Sequence, residues 1–303
     1  MYQPRREARS AFVPIRHLRY HVRLWGDPAC GRTPIVLLHG WMDVAASWQF
    51  VVDAFEQDHP VIAPDWRGFG LTEGPPTDTY WFPDYVADLD FLLDHFAPAT
   101  PVNLVGHSMG GMVAMLYGGA RPQRVRRLVN LEGFGMPATR PSQAPGRHAR
   151  WIDELKALHG GQKGLQSYDG LEAVAQRLIK TNARLPLDKA RWLAGHWARP
   201  GLDGRWRILG DPAHKVTSAH LFRVDETLET YRHITAPVLW IQAEQDSLRH
   251  WWQDRFTQAE FQERLGQVPD LRQERVAGAG HMLHHDQPQR VAQLIETFFA
   301  ICL

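Results

Sequence analysis

The sequence predicts an α/β protein with a mostly parallel sheet flanked by helices and interrupted by one helical insertion. Three observations carry this reading. Short apolar runs recur at residues 35–38, 61–63, 102–105, 128–131 and 238–241, each ending in turn residues. They have the length and β-branched content of strands buried on both faces. Helix-patterned stretches at 44–56, 80–95, 109–119 and 251–265 alternate with them. Such alternation points to a parallel sheet with helices on both faces. Finally, the rhythm breaks between about residues 134 and 233, where no strand run stands out.

Taken in order, the chain opens with paired runs that turn near Arg16-His17. Arginines there alternate with Val13, Ile15, Leu18, Tyr20, Val22 and Leu24, the pattern of a hairpin with one solvent face. This hairpin is expected as an antiparallel addition to one sheet edge. The break begins with Pro137, Pro141, Pro145 and Gly146, read as loop. Helical patterns follow at 151–158, 171–181, 187–196 and 218–223, and the chain returns to the sheet at Ala236-Pro237. The expected organisation is a core of residues 1–134 and 234–303 with a helical cap, or lid, over 135–233. A last run at 271–276 precedes a C-terminal helix over 287–299.

Composition narrows the class. The 303 residues carry 34 basic and 33 acidic side chains, a formal net charge of +1. A nucleic-acid partner is therefore not expected, since it normally calls for a basic surplus. No stretch of about 18 apolar residues exists, so no membrane span is expected. Arg5, Arg6 and Arg9 are not followed by an apolar segment, and the reading is a chain without a secretory signal. The two cysteines, Cys30 and Cys302, are read as unpaired thiols of a reducing compartment, which places the protein in the cytoplasm. Twelve tryptophans lean toward an apolar small-molecule substrate.

The chemistry centres on Gly106-His107-Ser108-Met109-Gly110. A serine hydroxyl needs a base and must protrude to act as a nucleophile. A run directly before this pentapeptide and a helix directly after it supply a sharp strand-to-helix corner with Ser108 at its tip. A tetrahedral intermediate needs two donors. The N–H of Met109 is one, and the N–H of Trp41, in His39-Gly40-Trp41-Met42, is the candidate for the other. His39 is read as bracing that loop.

Among 16 histidines, His281 in Ala279-Gly280-His281-Met282-Leu283 is the candidate base, because it follows the last strand run. His284 and His285 with His281 look like a short metal cluster, but no zinc spacing completes it, and no metal or cofactor is expected. They are read instead as starting the last helix, with Asp286 as a cap. The orienting acid should follow a strand between the serine and the histidine in chain order. Asp246 is preferred, Glu132 competes, and Glu244 leaves its strand a turn too early.

These motifs together resemble the α/β-hydrolase superfamily, in particular its lid-bearing bacterial branch of esterases and related hydrolases. His39-Gly40-Trp41 is similar to the family's oxyanion loop, Asp65-Trp66-Arg67-Gly68-Phe69-Gly70 to its D-x-R-G-x-G loop, residues 106–111 to its nucleophile elbow, and Gly280-His281 to its histidine motif. The resemblance implies a serine esterase that cleaves a carboxylic ester through an acyl-enzyme, with a catalytic triad and an oxyanion hole. It leaves open a C–C bond hydrolase, an acyltransferase or lyase, and a non-catalytic binding protein on the same fold. Epoxide hydrolases and haloalkane dehalogenases of the superfamily carry Asp at the nucleophile position, so Ser108 argues against both. Asp65 and Arg67 are read as bracing their loop. Trp151 and Trp192, with Trp41, are the expected substrate-binding side chains, suited to an apolar ester.

Overall fold

The computed structural model describes residues 2–301. Strands β1 (Arg9–Ile15) and β2 (Leu18–Trp25) form the expected antiparallel hairpin, with Arg16 at φ 56° in its turn. Then β3 (Ile35–Leu38), α1 (Gln49–Ala54), β4 (Val61–Pro64), α2 (Phe82–Phe96), β5 (Val102–His107), α3 (Met109–Ala120) and β6 (Val125–Leu131) alternate along the chain. The segment that follows holds α4 (Ala144–His159), β7 (Ser167–Tyr168), α5 (Leu171–Thr181), α6 (Leu187–Trp197), β8 (Ala198–Pro200), β9 (Trp206–Ile208) and α7 (Val224–Arg232). The chain closes with β10 (Val238–Ala243), α8 (Ser247–Trp252), α9 (Gln258–Leu265), β11 (Leu271–Val276), α10 (Leu283–Asp286) and α11 (Pro288–Ala300).

The main sheet has eight strands in the order β1-β2-β4-β3-β5-β6-β10-β11. Only the pairings of β2 with β1 and β4 are antiparallel. All four residues of β3 are buried, because alternate side chains serve two cores. Val36 and Leu38 join α2 and α3 on one face, with Leu89, Leu92 and Val113. Ile35 and Leu37 join α1 and α11 on the other, with Val51, Val52, Val291 and Ile295. At the outer edge, β11 exposes Arg272, Gln273, Glu274 and Arg275, three of them charged, which discourages a further strand from pairing.

Several boundaries moved. Pro145 lies in the first turn of α4, where its missing N–H costs nothing, rather than in a loop. Residues 218–223 are not helical; the helix begins at Val224, with Asp225 and Glu226 in its first turn, where acidic side chains favour the helix N-terminus. Residues 251–265 split into α8 and α9. The inserted segment contains a three-stranded sheet, β7-β9-β8, that periodicity did not show. Its last helix, α7, is seated on the core: Tyr231 and Ile234 are buried with Leu128 and Val238. Cys30 is exposed with a free thiol, and Cys302 lies outside the described residues. Among the described residues, no helix is long and apolar enough to cross a membrane.

The loop after β4 is tied to the core through ions. Asp88, fully buried on α2, accepts from Arg67 Nε (2.6 Å) and Nη2 (2.7 Å) and from the Tyr20 hydroxyl (2.7 Å). Removing one partner of such a pair strands a buried charge. Asp88→Ala is therefore expected to lower stability by about 3–5 kcal/mol, read from the urea midpoint; a loss under about 1 kcal/mol, the scale of a surface pair, contradicts this account.

Candidate active site

Ser108 occupies the corner between β5 and α3 at φ 51° and ψ −116°. A non-glycine residue held there is strained, and the neighbours explain how the corner closes. A Cβ on Gly106 would lie 2.3 Å from the Gly110 carbonyl oxygen, and one on Gly110 would lie 2.2 Å from that of Leu38. Only glycine permits the strand, the helix start and the end of β3 to meet so closely. A Cβ on Gly40 would lie 3.2 Å from Ser108 Cβ, so the backbone of the His39–Met42 loop runs against the nucleophile corner.

His281, on the loop between β11 and α10, sets Nε2 at 3.0 Å from Ser108 Oγ. Its Nδ1 faces Glu132 Oε2 at 3.3 Å. Glu132 follows β6 directly, also at positive φ (56°), and is 1% exposed. Its other oxygen, Oε1, accepts from the Ala243 N–H at 2.7 Å. The Asn130 amide oxygen accepts from the Gly133 N–H at 3.0 Å and holds this second corner shut. The structure thus brings Ser108, His281 and Glu132 together.

It does not bring Asp246 to them. Asp246 is exposed and caps α8, accepting from the Arg249 N–H at 2.9 Å. It sits three residues past the end of β10, far enough along the loop to be consumed by the next helix start. Glu244, the third carboxylate considered, accepts from the Gly278 N–H at 2.8 Å and braces the loop after β11. Asp286 does not cap the last helix; it accepts from Gly280 N–H (2.8 Å) and Asn182 Nδ2 (2.7 Å), fixing the loop that carries His281.

His39 braces its loop from both ring nitrogens. Nε2 accepts from the Trp66 N–H at 2.9 Å, so Nδ1 carries the proton given to the Gly40 carbonyl at 2.8 Å. Asp65 ties the same region, accepting from Ala45 N–H (2.7 Å) and Leu71 N–H (2.9 Å).

Of the expected substrate-binding residues, Trp41 is 48% exposed beside this corner. Trp151 is partly buried on α4, a helix with no fully buried residue. Trp192 packs elsewhere, with Tyr2 and Phe50 at ring distances of 5.4 and 5.8 Å where α6 meets the core. Reading the sequence missed Trp251, whose half-exposed ring stands 5.8 Å from that of His281. No motif marks it; only the fold of α8 brings it there. A separate crevice of about 720 Å³ lies between residues 67–80 and 208–212 and touches none of the three grouped side chains.

Burial holds many histidines neutral. Desolvation pushes His39 and His196 down to about 4, His214 and His285 to about 3, and His107 and His284 well below their ordinary range. Burial acts oppositely on Asp43, raising its carboxyl to about 7. Unfolded histidines titrate near about 6.5, so below that pH the unfolded chain binds protons the native one refuses. Stability is therefore expected to fall as pH drops from 7 to 5, the six histidines outweighing the single opposing carboxyl. A Tm series across that window checks it; a Tm that rises toward pH 5 reverses the sign.

Comparison with known proteins places the chain by its fold. The family model described as alpha/beta hydrolase fold matches residues 33–288. A serine hydrolase-like protein of Danio rerio is 25% identical over 237 residues, covering 78% of this chain and 72% of that protein. The 2-hydroxy-6-oxo-2,4-heptadienoate hydrolase of Pseudomonas putida is 27% identical over 271 residues, covering 88% of this chain and 89% of its own. A solved structure of a hypothetical protein from Pseudomonas aeruginosa PAO1 superimposes with a TM-score of 0.84 at 24% identity, over 96% of this chain and 99% of the other.

Proposed function

The chain belongs to the alpha/beta hydrolase fold family, and from that premise we propose that it is a serine hydrolase cleaving a carboxylic ester through an acyl-enzyme. The single observation that carries this reading is His281 standing between Ser108 Oγ at 3.0 Å and Glu132 Oε2 at 3.3 Å. Ser108 attacks the ester carbonyl while His281 Nε2 takes its proton. Glu132 holds the proton on Nδ1 and stabilises the imidazolium, the part the sequence had given to Asp246. The oxyanion forms beside the N–H groups of Met109 and Trp41, each a term of about 3 kcal/mol. His281 returns the proton to the departing alcohol, then activates water to release the acid. These residues need no metal or cofactor for any step.

The segment over residues 135–233 acts in this reading as a cap that selects the substrate. The half-exposed Trp251 ring 5.8 Å from that of His281, with exposed Trp41 next to Gly40 on the loop against Ser108, supports an apolar, preferably aromatic, ester. Trp151 lies on the cap, while Trp192 anchors the cap instead of lining the pocket. A second reading has specific support. Likeness to the 2-hydroxy-6-oxo-2,4-heptadienoate hydrolase runs through nearly all of both chains. The same three side chains would then hydrolyse a C–C bond beside a ketone.

Two experiments test the assignment. A fluorophosphonate probe should label Ser108, and Ser108→Ala should abolish turnover of a p-nitrophenyl ester; full activity in pure Ser108→Ala protein sinks the mechanism. Glu132→Gln should cut kcat by about 10²–10⁴-fold, the scale seen when a triad acid loses its charge. Asp246→Asn should change it little. The reverse order restores Asp246 as the acid. Acid released faster from a vinylogous diketone than from any ester in a matched panel favours the second reading.

A further inference from the structure

His107 directly precedes Ser108, lies with its ring 4.9 Å from that of His281, and is 2% exposed. Its Nε2 lies 2.8 Å from the His281 backbone carbonyl oxygen. A carbonyl only accepts, so Nε2 carries the proton. Burial keeps the ring neutral, which leaves Nδ1 bare as an acceptor. That Nδ1 is buried and has no hydrogen-bond partner in the protein. The same holds for Asp43 Oδ2 and His284 Nδ1. One ligating atom from each of these three fully buried residues lies within 4.8 Å of the others. Trp48 stacks near His284 at 5.0 Å and closes that side.

Three buried unpartnered atoms on residues this close together call for a small polar guest among them. Two guests set different spacings. A zinc ion with bonds of about 2.05 Å draws tetrahedral ligands to about 3.4 Å apart. Water with hydrogen bonds of about 2.8 Å leaves its partners about 4.6 Å apart. The Asp43 Oδ2 to His284 Nε2 separation is 3.9 Å, which falls between the two figures. Water suits the polarity, with two protons to give to His107 Nδ1 and Asp43 Oδ2.

We propose that Asp43, His107 and His284 enclose one ordered water, and that through this site His107 is a positioning residue for His281. The water satisfies Nδ1 and so keeps the proton on Nε2. Nε2–H then pins the His281 carbonyl, and with it the ring that must meet Ser108 at 3.0 Å. This rests on the reading of His281 as the base. Labelling of Ser108 by a fluorophosphonate in the unsubstituted protein tests that reading separately.

The two amides divide the ring's two functions. In His107→Gln the side-chain amide reaches the Nε2 position and still donates to the His281 carbonyl. In His107→Asn it reaches only the Nδ1 position. His107→Gln should keep kcat within about threefold, whereas His107→Asn should lose about 10–100-fold in kcat with KM little changed, the cost of a misplaced catalytic group. Their melting temperatures should be similar. Equal activity in the two variants, or losses that track Tm alone, overturns the positioning role. If neither variant folds, a high-resolution crystal structure of the unsubstituted protein decides. One peak about 2.8 Å from all three residues supports the site. A peak at about 2.1 Å with metal anomalous signal, or no peak at all, overturns it.

Discussion

Everything at the site depends on two strained corners at the ends of neighbouring strands. Ser108 and Glu132 both hold positive φ, 51° and 56°, and both directly follow strands, β5 and β6. Each such position costs about 1–3 kcal/mol and survives only where its surroundings leave no alternative. The corners over-determine each other. The Ser108 N–H donates to the Leu131 carbonyl at 2.8 Å, and the Glu132 N–H donates to that of Ile241 at 3.2 Å. Parallel pairing of β5, β6 and β10 thus fixes Ser108 and the Glu132 carboxylate in one frame, into which His281 drops from the loop after β11.

That frame explains what could be read from the sequence. The strand runs were legible because each faces two cores, so nearly every residue is apolar. The nucleophile corner was legible because close approach demands Gly106 and Gly110 beside the serine. The carboxylate was not, because Asp246 and Glu132 each follow a strand of the same parallel sheet. Loop geometry decides which of them stands beside His281. Glu132 comes immediately after β6, with a side chain long enough to reach back under His281. Asp246 comes later and is taken by the N-terminus of α8. The small sheet β7-β9-β8 escaped notice because strands of two or three residues have no measurable period.

The inserted segment is fastened at more points than a helical pattern suggests. Tyr2 packs on Phe50 and Trp192 and its hydroxyl donates to Asp53, so the N-terminal residues hold α6 to the core. Lys189 sits 4.8 Å over the Phe50 ring in the same cluster. On the opposite side, Phe69 bridges to Gly210, and His214 stacks between Phe69 and Tyr80 at 3.8 and 3.7 Å. Trp192, chosen from sequence for a pocket, does its work in this anchorage: a large aromatic is as useful in a joint as in a binding wall.

Two of these fastenings reach the loops that flank Ser108. The Trp197 indole N–H donates to the Met42 carbonyl at 3.0 Å, and Met42 itself sits at φ 56° in the loop that follows Gly40. Asn182 Nδ2 donates to Asp286, whose other oxygen accepts from the Gly280 N–H beside His281. One helix of the insertion therefore touches the His39–Met42 loop, and the chain just after another touches the histidine loop. A displacement of the insertion large enough to break these bonds would release a strained residue on one side of Ser108 and the partly buried Asp286 carboxylate on the other. Local side-chain motion around Ser108 leaves both bonds intact and therefore costs less than moving the whole segment.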